Sequence, residues 1–228
     1  STAFRIQGNL VAALKECEQA LLLKPAAPHI HYHQSYILLM MGNFAQAWRE
    51  YLWRPGRRVY YTKMQRTPLE EVALLPSTLS GQRLLLDREQ GLGDELFFLR
   101  FAPLLKSRGA WIAYRGTNKL TSILQRQPWL DYLAAETDLS ALAVNQTLLI
   151  GDLPLALGMT NVAQIPPPLP LSVIPERLVA MRNQLATLGP PPYLGITWRS
   201  GTSPEEQQNV KQLYKSVYPE PHKMPSSP

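Results

Sequence analysis

The residues with the clearest chemical potential are Gly91, Gly93 and Asp94, which lie in the run QGLGD at 90–94. This run follows the apolar residues RLLL at 83–86, which predict a buried strand, and it precedes a stretch with helical spacing. A glycine loop between a strand and a helix allows a tight turn and lets a ligand approach the backbone closely. A carboxylate beside such a loop suits a general base that takes the proton of a neutral hydroxyl. The competing interpretation is a helix cap, because carboxylates are favoured where helices begin.

Alternating strands and helices are predicted to hold this loop. Helical spacing covers 95–107, and Pro103 inside that pattern should kink or break the helix. The remaining predicted strands are 111–114, 132–134, 147–150 and 193–197, and the remaining predicted helices are 120–127, 153–157 and 175–188. Short apolar strands that alternate with helices indicate an α/β fold with a mostly parallel sheet covered on both faces.

A 34-residue repeat precedes this region. Five positions recur at that offset, pairing Gly8, Asn9, Leu10, Ala13 and Cys17 with Gly42, Asn43, Phe44, Ala47 and Tyr51. Glycine at the corner between helices and alanine where paired helices touch are typical of a helical repeat array. The second copy predicts helices at 29–41 and 44–53. Ala47 is therefore expected at a helix–helix contact, and Cys17 is expected to be buried.

Composition excludes several classes of protein. The chain has 228 residues, of which 45% are hydrophobic and 18% are charged, as in globular domains rather than disordered chains. No apolar run approaches the roughly 18–20 residues of a membrane-spanning helix. Cys17 is the single cysteine, so neither an intramolecular disulfide nor a CxxC site can form. With no visible signal segment, the sequence predicts a cytoplasmic protein.

The net charge of +6 is unevenly distributed. The chain has 23 basic and 17 acidic residues. Residues 1–66 hold nine Lys or Arg and three Glu, and residues 67–228 hold the remaining fourteen basic and fourteen acidic residues. One stretch carries basic residues with no acid between them: Arg54, Arg57, Arg58, Lys63 and Arg66. Such a stretch is either an attractor of anionic partners or a solvated connector. No nucleic-acid-binding motif accompanies it, so a nucleic-acid partner is not predicted.

Histidines alternate along one predicted helix, at His29, His31 and His33. Residues two apart on a helix point to different faces, so these three side chains cannot converge on one metal ion. The sequence predicts no metal site.

The run EQGLGD at 89–94, followed by FLRFAPLLKSRGA, resembles the first lobe of bacterial tetratricopeptide-repeat glycosyltransferases. These enzymes join a repeat array to a two-lobed (GT-B) transferase, and they are related to O-GlcNAc transferase and to the heptosyltransferases. Three further stretches look similar to that family: DLPL at 152–155, GITWRSG at 195–201 and QLYK at 212–215.

The resemblance implies roles for individual residues. Asp94 would be the base that acts on the acceptor hydroxyl. Gly91 and Gly93 would lie where a ligand approaches the backbone of the same loop. Arg199 would face the cleft between the lobes, and Gln212 and Lys215 would contact the diphosphate of a nucleotide-sugar donor. A lysine there would neutralise charge on the leaving group. The resemblance implies no metal and no cofactor apart from the nucleotide sugar, which is a substrate.

Together these expectations divide the chain into five parts. They are tetratricopeptide repeats at 1–54, a connector at 55–80, a Rossmann-like first lobe at 81–164, a Pro-rich crossover at 165–192 and a truncated start of a second lobe at 193–228. About 36 residues follow Pro192, whereas a doubly wound lobe takes on the order of 130. The predicted function is that of a glycosyltransferase fragment, inactive alone. The alternative is an interaction module whose repeats bind a partner peptide while the α/β part supports them passively.

Overall fold

A computed structural model describes residues 2–67, 69–134 and 142–196. The chain forms two compact units, Ser1–Ser172 and Val173–Pro228. The helices of the first unit are α1 (Thr2–Ile6), α2 (Leu10–Leu23), α3 (Pro28–Met40), α4 (Phe44–Glu50), α5 (Pro55–Lys63), α6 (Leu92–Phe98), α7 (Ala102–Ser107), α8 (Thr121–Leu124) and α9 (Leu153–Ala156). Its strands are β1 (Arg83–Asp87), β2 (Trp111–Arg115), β3 (Tyr132–Leu133) and β4 (Gln146–Leu149). Short 3₁₀ turns lie at Tyr51–Trp53, Leu99–Phe101, Asn118–Leu120, Ile150–Asp152 and Val162–Gln164.

The 34-residue offset recurs in the backbone of the first unit. Gly8 and Gly42 have φ angles of 77° and 79°, in the left-handed region that glycine adopts without steric cost. The next residues are also alike, with φ and ψ of −82° and 74° at Asn9 and of −84° and 67° at Asn43. The two copies therefore turn the corner between helices in the same way.

Small residues separate the packed helices at the predicted positions. Ala13 and Ala47 are fully buried, and α3 packs against both α2 and α4. Cys17 is 2% exposed and packs with Ala13 and Ile37 in a small core between the helices. The expected burial of Cys17 is confirmed.

Ala47→Leu is expected to lower the free energy of unfolding by about 1–3 kcal/mol, because no space remains for the larger side chain between α3 and α4. Urea denaturation of the two proteins measures the difference. Ala45→Leu is the matched control, since Ala45 lies on the exposed side of α4. Equal midpoints for the Ala47 variant and the parent protein would contradict the close helix contact.

The four strands form one parallel sheet in the order β3-β2-β1-β4, so the unit is mixed α/β. Each strand lies within two residues of its predicted bounds. Asp87 at the end of β1 is level with Arg115 in β2 and with Leu149 in β4. The order reverses between β1 and β4, and the carboxyl ends of strands at such a reversal are where open α/β sheets bind ligands.

The two faces of the sheet are covered differently. Leu84 and Leu86 pack in a large core that includes residues of α6, α7, α8 and α9. Leu85 and Ala113, on the opposite face, pack against Ala134 and Val144, which are not helical. Among the described residues, helices therefore cover one face of the sheet, whereas the strand–helix alternation predicted cover on both.

Pro103 breaks the helical segment as expected. The α-helix ends at Phe98, a 3₁₀ turn spans Leu99–Phe101, and α7 then begins with Pro103 in its first turn. Proline lacks the N–H that a helix interior requires but is tolerated in the first turn.

Part of the predicted connector is helical. Residues 55–63 form α5, whose buried side chains are Arg57 and Tyr61. An arginine on the buried face hides the apolar periodicity by which helices are recognised in a sequence. The prediction of an irregular 55–80 segment is wrong over these nine residues.

The second unit contains α10 (Pro175–Ala186), none of whose residues is buried. The predicted strand at 193–197 does not form over its described part, 193–196, where Leu194 is 88% exposed. A strand needs a neighbour for its backbone hydrogen bonds, and no described strand pairs with this segment. Across the described residues, no helix combines the length and the hydropathy needed to cross a bilayer.

Candidate functional site

Asp94 lies in the first turn of α6, just past the carboxyl end of β1. The cap position itself belongs to Gly91, so Asp94 is not the N-cap of this helix. Its carboxylate is half-buried and makes no hydrogen bond or ion pair with any described residue. A carboxylate without a partner remains available to accept a proton or a hydrogen bond from a ligand.

The Asp94 side chain faces a cavity of about 340 Å³, named here the Asp94 cavity. Aromatic rings from the repeat helices and from α6 line most of it: Tyr36, Phe44, Trp48, Tyr51, Phe97 and Phe98. Asp94 is the only carboxylate among the lining residues that the structure describes. The repeat segment therefore builds half of the pocket into which the base candidate points.

Few other polar groups accompany Asp94 there. The indole Nε1 of Trp48 is buried and has no hydrogen-bond partner among the described residues. Gln90 Nε2 donates to the Tyr51 hydroxyl at 2.7 Å. Burial raises the pKa of Tyr51, and the Asp94 carboxylate adds to this rise, so the phenol stays neutral. The cavity thus offers a ligand one anionic acceptor among aromatic walls.

Two arginines, Arg54 at the end of the repeat segment and Arg57 in α5, are buried at the point where the strand order reverses. Arg54 Nε donates to Glu89 Oε1 at 2.7 Å, and its Nη2 lies 2.6 Å from Asp152 Oδ1. Arg57 Nε donates to both Asp152 oxygens, at 3.2 and 3.0 Å. These four side chains, here called the buried arginine network, balance two positive charges against two negative ones. The interpretation of Arg54 and Arg57 as a solvated or partner-attracting patch is wrong, since both are fully buried.

Two glycines make room for this network. A Cβ atom on Gly151 would lie 2.6 Å from Glu89 Oε1 and 2.8 Å from Arg54 Nε. A Cβ atom on Gly56 would collide with the carbonyl oxygen of Glu89, so α5 lies directly on the loop that follows β1. The network and this contact hold the loop that leads to Asp94.

Gly91 and Gly93 have a different position. Gly91 has φ of −77° and ψ of 170°, and neither residue lies in the left-handed region. A Cβ atom on Gly93 would have no neighbour within 4 Å, and one on Gly91 would make only an ordinary contact with Asp94. The predicted tight turn therefore does not depend on glycine. Because Gly91 and Gly93 have no side chains, the start of α6 stays open. Their predicted role in ligand binding stays a prediction.

Gly151→Ala is expected to lower the free energy of unfolding by about 1–3 kcal/mol, because the added methyl group would displace the Arg54–Glu89 pair. The matched control is Gly93→Ala, in open space in the first turn of α6, which should not lower stability. Thermal and urea denaturation measure both. Equal stability changes in the two variants would contradict the close packing at Gly151.

A second set of buried polar contacts fixes the neighbouring strand ends. Tyr114 donates its hydroxyl proton to Glu95 Oε2 at 2.5 Å, and the Thr117 backbone N–H donates to the same oxygen at 3.1 Å. Asp87 pairs with Arg115 across β1 and β2. The sequence analysis did not predict these roles of Glu95 and Asp87. The signal that could have indicated them is an acidic residue within an otherwise apolar segment.

The alternating histidines do not converge. Both ring nitrogens of His31 lie within hydrogen-bond distance of oxygens, Pro25 O at 2.7 Å and Glu50 Oε2 at 2.5 Å. The His31 ring also stacks on Trp53 with a centroid separation of 4.1 Å. In the described part of the chain, no three His, Cys, Asp or Glu side chains form a group that could hold a metal ion.

The remaining residues of the predicted site, Arg199, Gln212 and Lys215, lie outside the described residues. Their assignment to a donor diphosphate stays a prediction.

Comparisons with known proteins give limited information. No family model and no solved structure matches the chain. The chain is similar to Protein FlbA of Caulobacter vibrioides, with 26% identity over 214 residues. The match covers 85% of this chain but spans only 35% of the length of that relative.

Proposed function

We propose that this chain is the acceptor-binding part of a glycosyltransferase, in which Asp94 takes the proton of an acceptor hydroxyl while a sugar is transferred from a nucleotide-sugar donor. In this proposal the helical hairpins are tetratricopeptide repeats, and the parallel sheet is the Rossmann-like first lobe of a GT-B enzyme. A cytoplasmic location belongs to the same proposal, because the single, buried Cys17 provides no disulfide.

One observation carries the proposal. The Asp94 carboxylate has no partner among the described residues and opens into an aromatic cavity beside the carboxyl edge of the sheet. A general base must reach the proton it abstracts, and an unpaired carboxylate facing a cavity meets that requirement. Aromatic walls exclude water, which strengthens the interaction of the carboxylate with a bound hydroxyl.

The buried arginine network occupies the position where such sheets usually bind nucleotides, which supports a donor site outside the sheet. Doubly wound sheets bind nucleotides at the reversal of strand order, and here Arg54 and Arg57 fill that position with their own acidic partners. A nucleotide sugar would therefore bind to the segment that carries Arg199, Gln212 and Lys215. This division, with the acceptor on the first lobe and the donor on the second, is the one that the family resemblance implies.

The test is a transfer assay. A protein that joins this chain to a complete second lobe is incubated with a panel of radiolabelled nucleotide sugars and hydroxyl-bearing acceptors. We expect label to enter an acceptor from one donor class. Transfer from none of the nucleotide sugars would contradict the proposed activity.

Calorimetry on the 228-residue chain alone tests the donor assignment separately. We expect no nucleotide sugar to bind with a dissociation constant tighter than about 1 mM. Micromolar binding would contradict a donor site that needs a complete second lobe.

A further inference from the structure

The walls of the Asp94 cavity are largely apolar, and this limits the kind of acceptor that the cavity can hold. Six of the ten described residues that line it have no polar side-chain atom: Leu39, Phe44, Phe97, Phe98, Val162 and Ile165. Phe97 and Val162 remain exposed although they line the cavity. A bound ligand would cover this apolar surface, and its removal from water favours a ligand with an apolar body.

The described walls have few groups that can bind several hydroxyls at once. Besides the Asp94 carboxylate, three lining side chains carry a polar atom: Tyr36, Trp48 and Tyr51. The indole nitrogen is buried. Both phenolic hydroxyls already have protein partners, since that of Tyr36 bonds to Tyr32 and that of Tyr51 accepts from Gln90 Nε2 at 2.7 Å. A sugar bound here would leave several of its own hydroxyls unpaired, and an unpaired buried hydroxyl is unfavourable.

We propose that the acceptor in the Asp94 cavity is a phenol, a single hydroxyl borne on an aromatic ring, and not a sugar. This inference rests on the proposed function, which makes the cavity an acceptor site, and it adds the class of acceptor. The hydroxyl donates to Asp94, and the ring packs among the aromatic walls. Phe97 and Phe98 already pack edge to face with ring centroids 5.0 Å apart, and a third ring extends that arrangement. A cavity of about 340 Å³ is of the size that small molecules occupy.

A phenol also suits a carboxylate base. Phenols are more acidic than alkyl alcohols or sugar hydroxyls, so the transfer of a phenolic proton to a carboxylate is less unfavourable. In the transfer step the phenolic proton passes to Asp94, and the phenolic oxygen forms a bond to the anomeric carbon of the donor sugar. The bond between that carbon and the nucleotide diphosphate breaks, and the diphosphate leaves with its electron pair. The product is an aryl glycoside.

Binding to the 228-residue chain tests the acceptor class without requiring sugar transfer. An NMR titration follows the indole N–H of Trp48 with 4-ethylphenol and with N-acetyltyrosinamide, which carries the same phenol on a peptide unit. We expect one or both to bind with a dissociation constant near 1 mM, and the tighter of the two identifies the source of the phenol. In 4-ethylanisole a methyl group replaces the hydroxyl proton, and binding should be weaker by about fivefold or more. Methyl glucoside should cause no shift.

Two variants separate the roles of the carboxylate and the ring walls. Asp94→Asn should weaken phenol binding by about three- to tenfold, because a neutral amide oxygen is a weaker acceptor than a carboxylate. Its matched control is Glu18→Gln, which removes an exposed negative charge outside the cavity and should change the affinity by less than about twofold. Phe97→Ala removes an exposed wall ring and should weaken the binding of 4-ethylphenol and 4-ethylanisole alike.

Several outcomes would overturn the phenol assignment: no shift with either phenol, equal binding of phenol and anisole, tighter binding of methyl glucoside, or equal losses in the Asp94 and Glu18 variants. The transfer assay decides the activity separately. Transfer to a sugar acceptor and not to either phenol would overturn the acceptor class and uphold the proposed activity. Phenol binding that requires Asp94, without transfer from any nucleotide sugar, would contradict the activity and retain the phenol site.

Discussion

Replacing Arg54 by methionine is expected to lower the free energy of unfolding by about 3–5 kcal/mol, the usual cost of leaving a buried charge without its partner. Arg54 is fully buried and bonds to Glu89, whose side chain is 1% exposed. Asp152 would keep its bonds to Arg57, so the unpaired charge would be that of Glu89. Urea denaturation measures the loss, which is among the largest expected from one substitution in this chain.

The loss should depend on pH. Burial raises the pKa of Glu89 in the native protein, and Arg54 opposes that rise. Without Arg54 the folded-state pKa of Glu89 rises further above its unfolded value. Such a group contributes its stability below the unfolded pKa and loses it as the pH rises through the folded pKa. The stability difference between variant and parent should therefore be smaller at pH 5 than at pH 8.

Two further variants isolate the charge effect. Arg58→Met removes a neighbouring exposed arginine and should change stability by less than about 0.5 kcal/mol. Arg54→Met combined with Glu89→Met removes both members of the pair, and should recover much of the loss because no charge is left unpaired. A double variant as unstable as Arg54→Met alone would show that packing, not charge, explains the result.

The second large effect concerns rate. In a protein that joins this chain to a complete second lobe, Asp94→Asn is expected to reduce the turnover number by roughly 10²–10⁴-fold, the range for loss of a general base. Asparagine has nearly the same shape and cannot take a proton. The Asp94 carboxylate holds no other described side chain, so the fold should be kept. Initial rates and a melting curve measure the two effects separately.

Glu18→Gln serves as the control for the rate measurement, since Glu18 is exposed on α2 and is not among the residues that line the Asp94 cavity. A near-normal turnover number for Asp94→Asn would leave Asp94 as a residue that merely favours the start of α6. Loss of the fold in this variant would instead give Asp94 a structural role that its lack of described partners does not suggest.

Local rules of sequence predicted much of the architecture. Pro103 marked the break between α6 and α7 because proline acts on its own helix. Gly8 and Gly42 marked the repeat because a left-handed corner selects glycine wherever it occurs. The strands were visible as short apolar runs. Each of these signals lies within a few residues of the structure that it specifies.

The buried arginine network could not be predicted in this way. An arginine normally lies on the surface, and it is buried only where partners neutralise its charge. Those partners are distant in sequence, with Glu89 35 residues from Arg54 and Asp152 95 residues from Arg57. The same limit applies to the candidate site. Sequence placed Asp94 after β1, but the Tyr36 and Trp48 walls of its cavity come from helices whose position depends on tertiary packing.

The junction between the repeat helices and the sheet has a consequence for how such a protein can diversify. Trp48 and Tyr51 pack edge-on or tilted against Phe98, with ring centroids 6.5 and 5.7 Å apart, inside the core that also contains the strands. A recombination breakpoint between residues 54 and 80 would separate these rings and divide the Arg54–Glu89 pair. We therefore expect the second repeat copy, which carries Trp48 and Tyr51, to be inherited together with the sheet as one block. The first copy packs against α3 of the second copy, so we expect its exchange to disturb that block less.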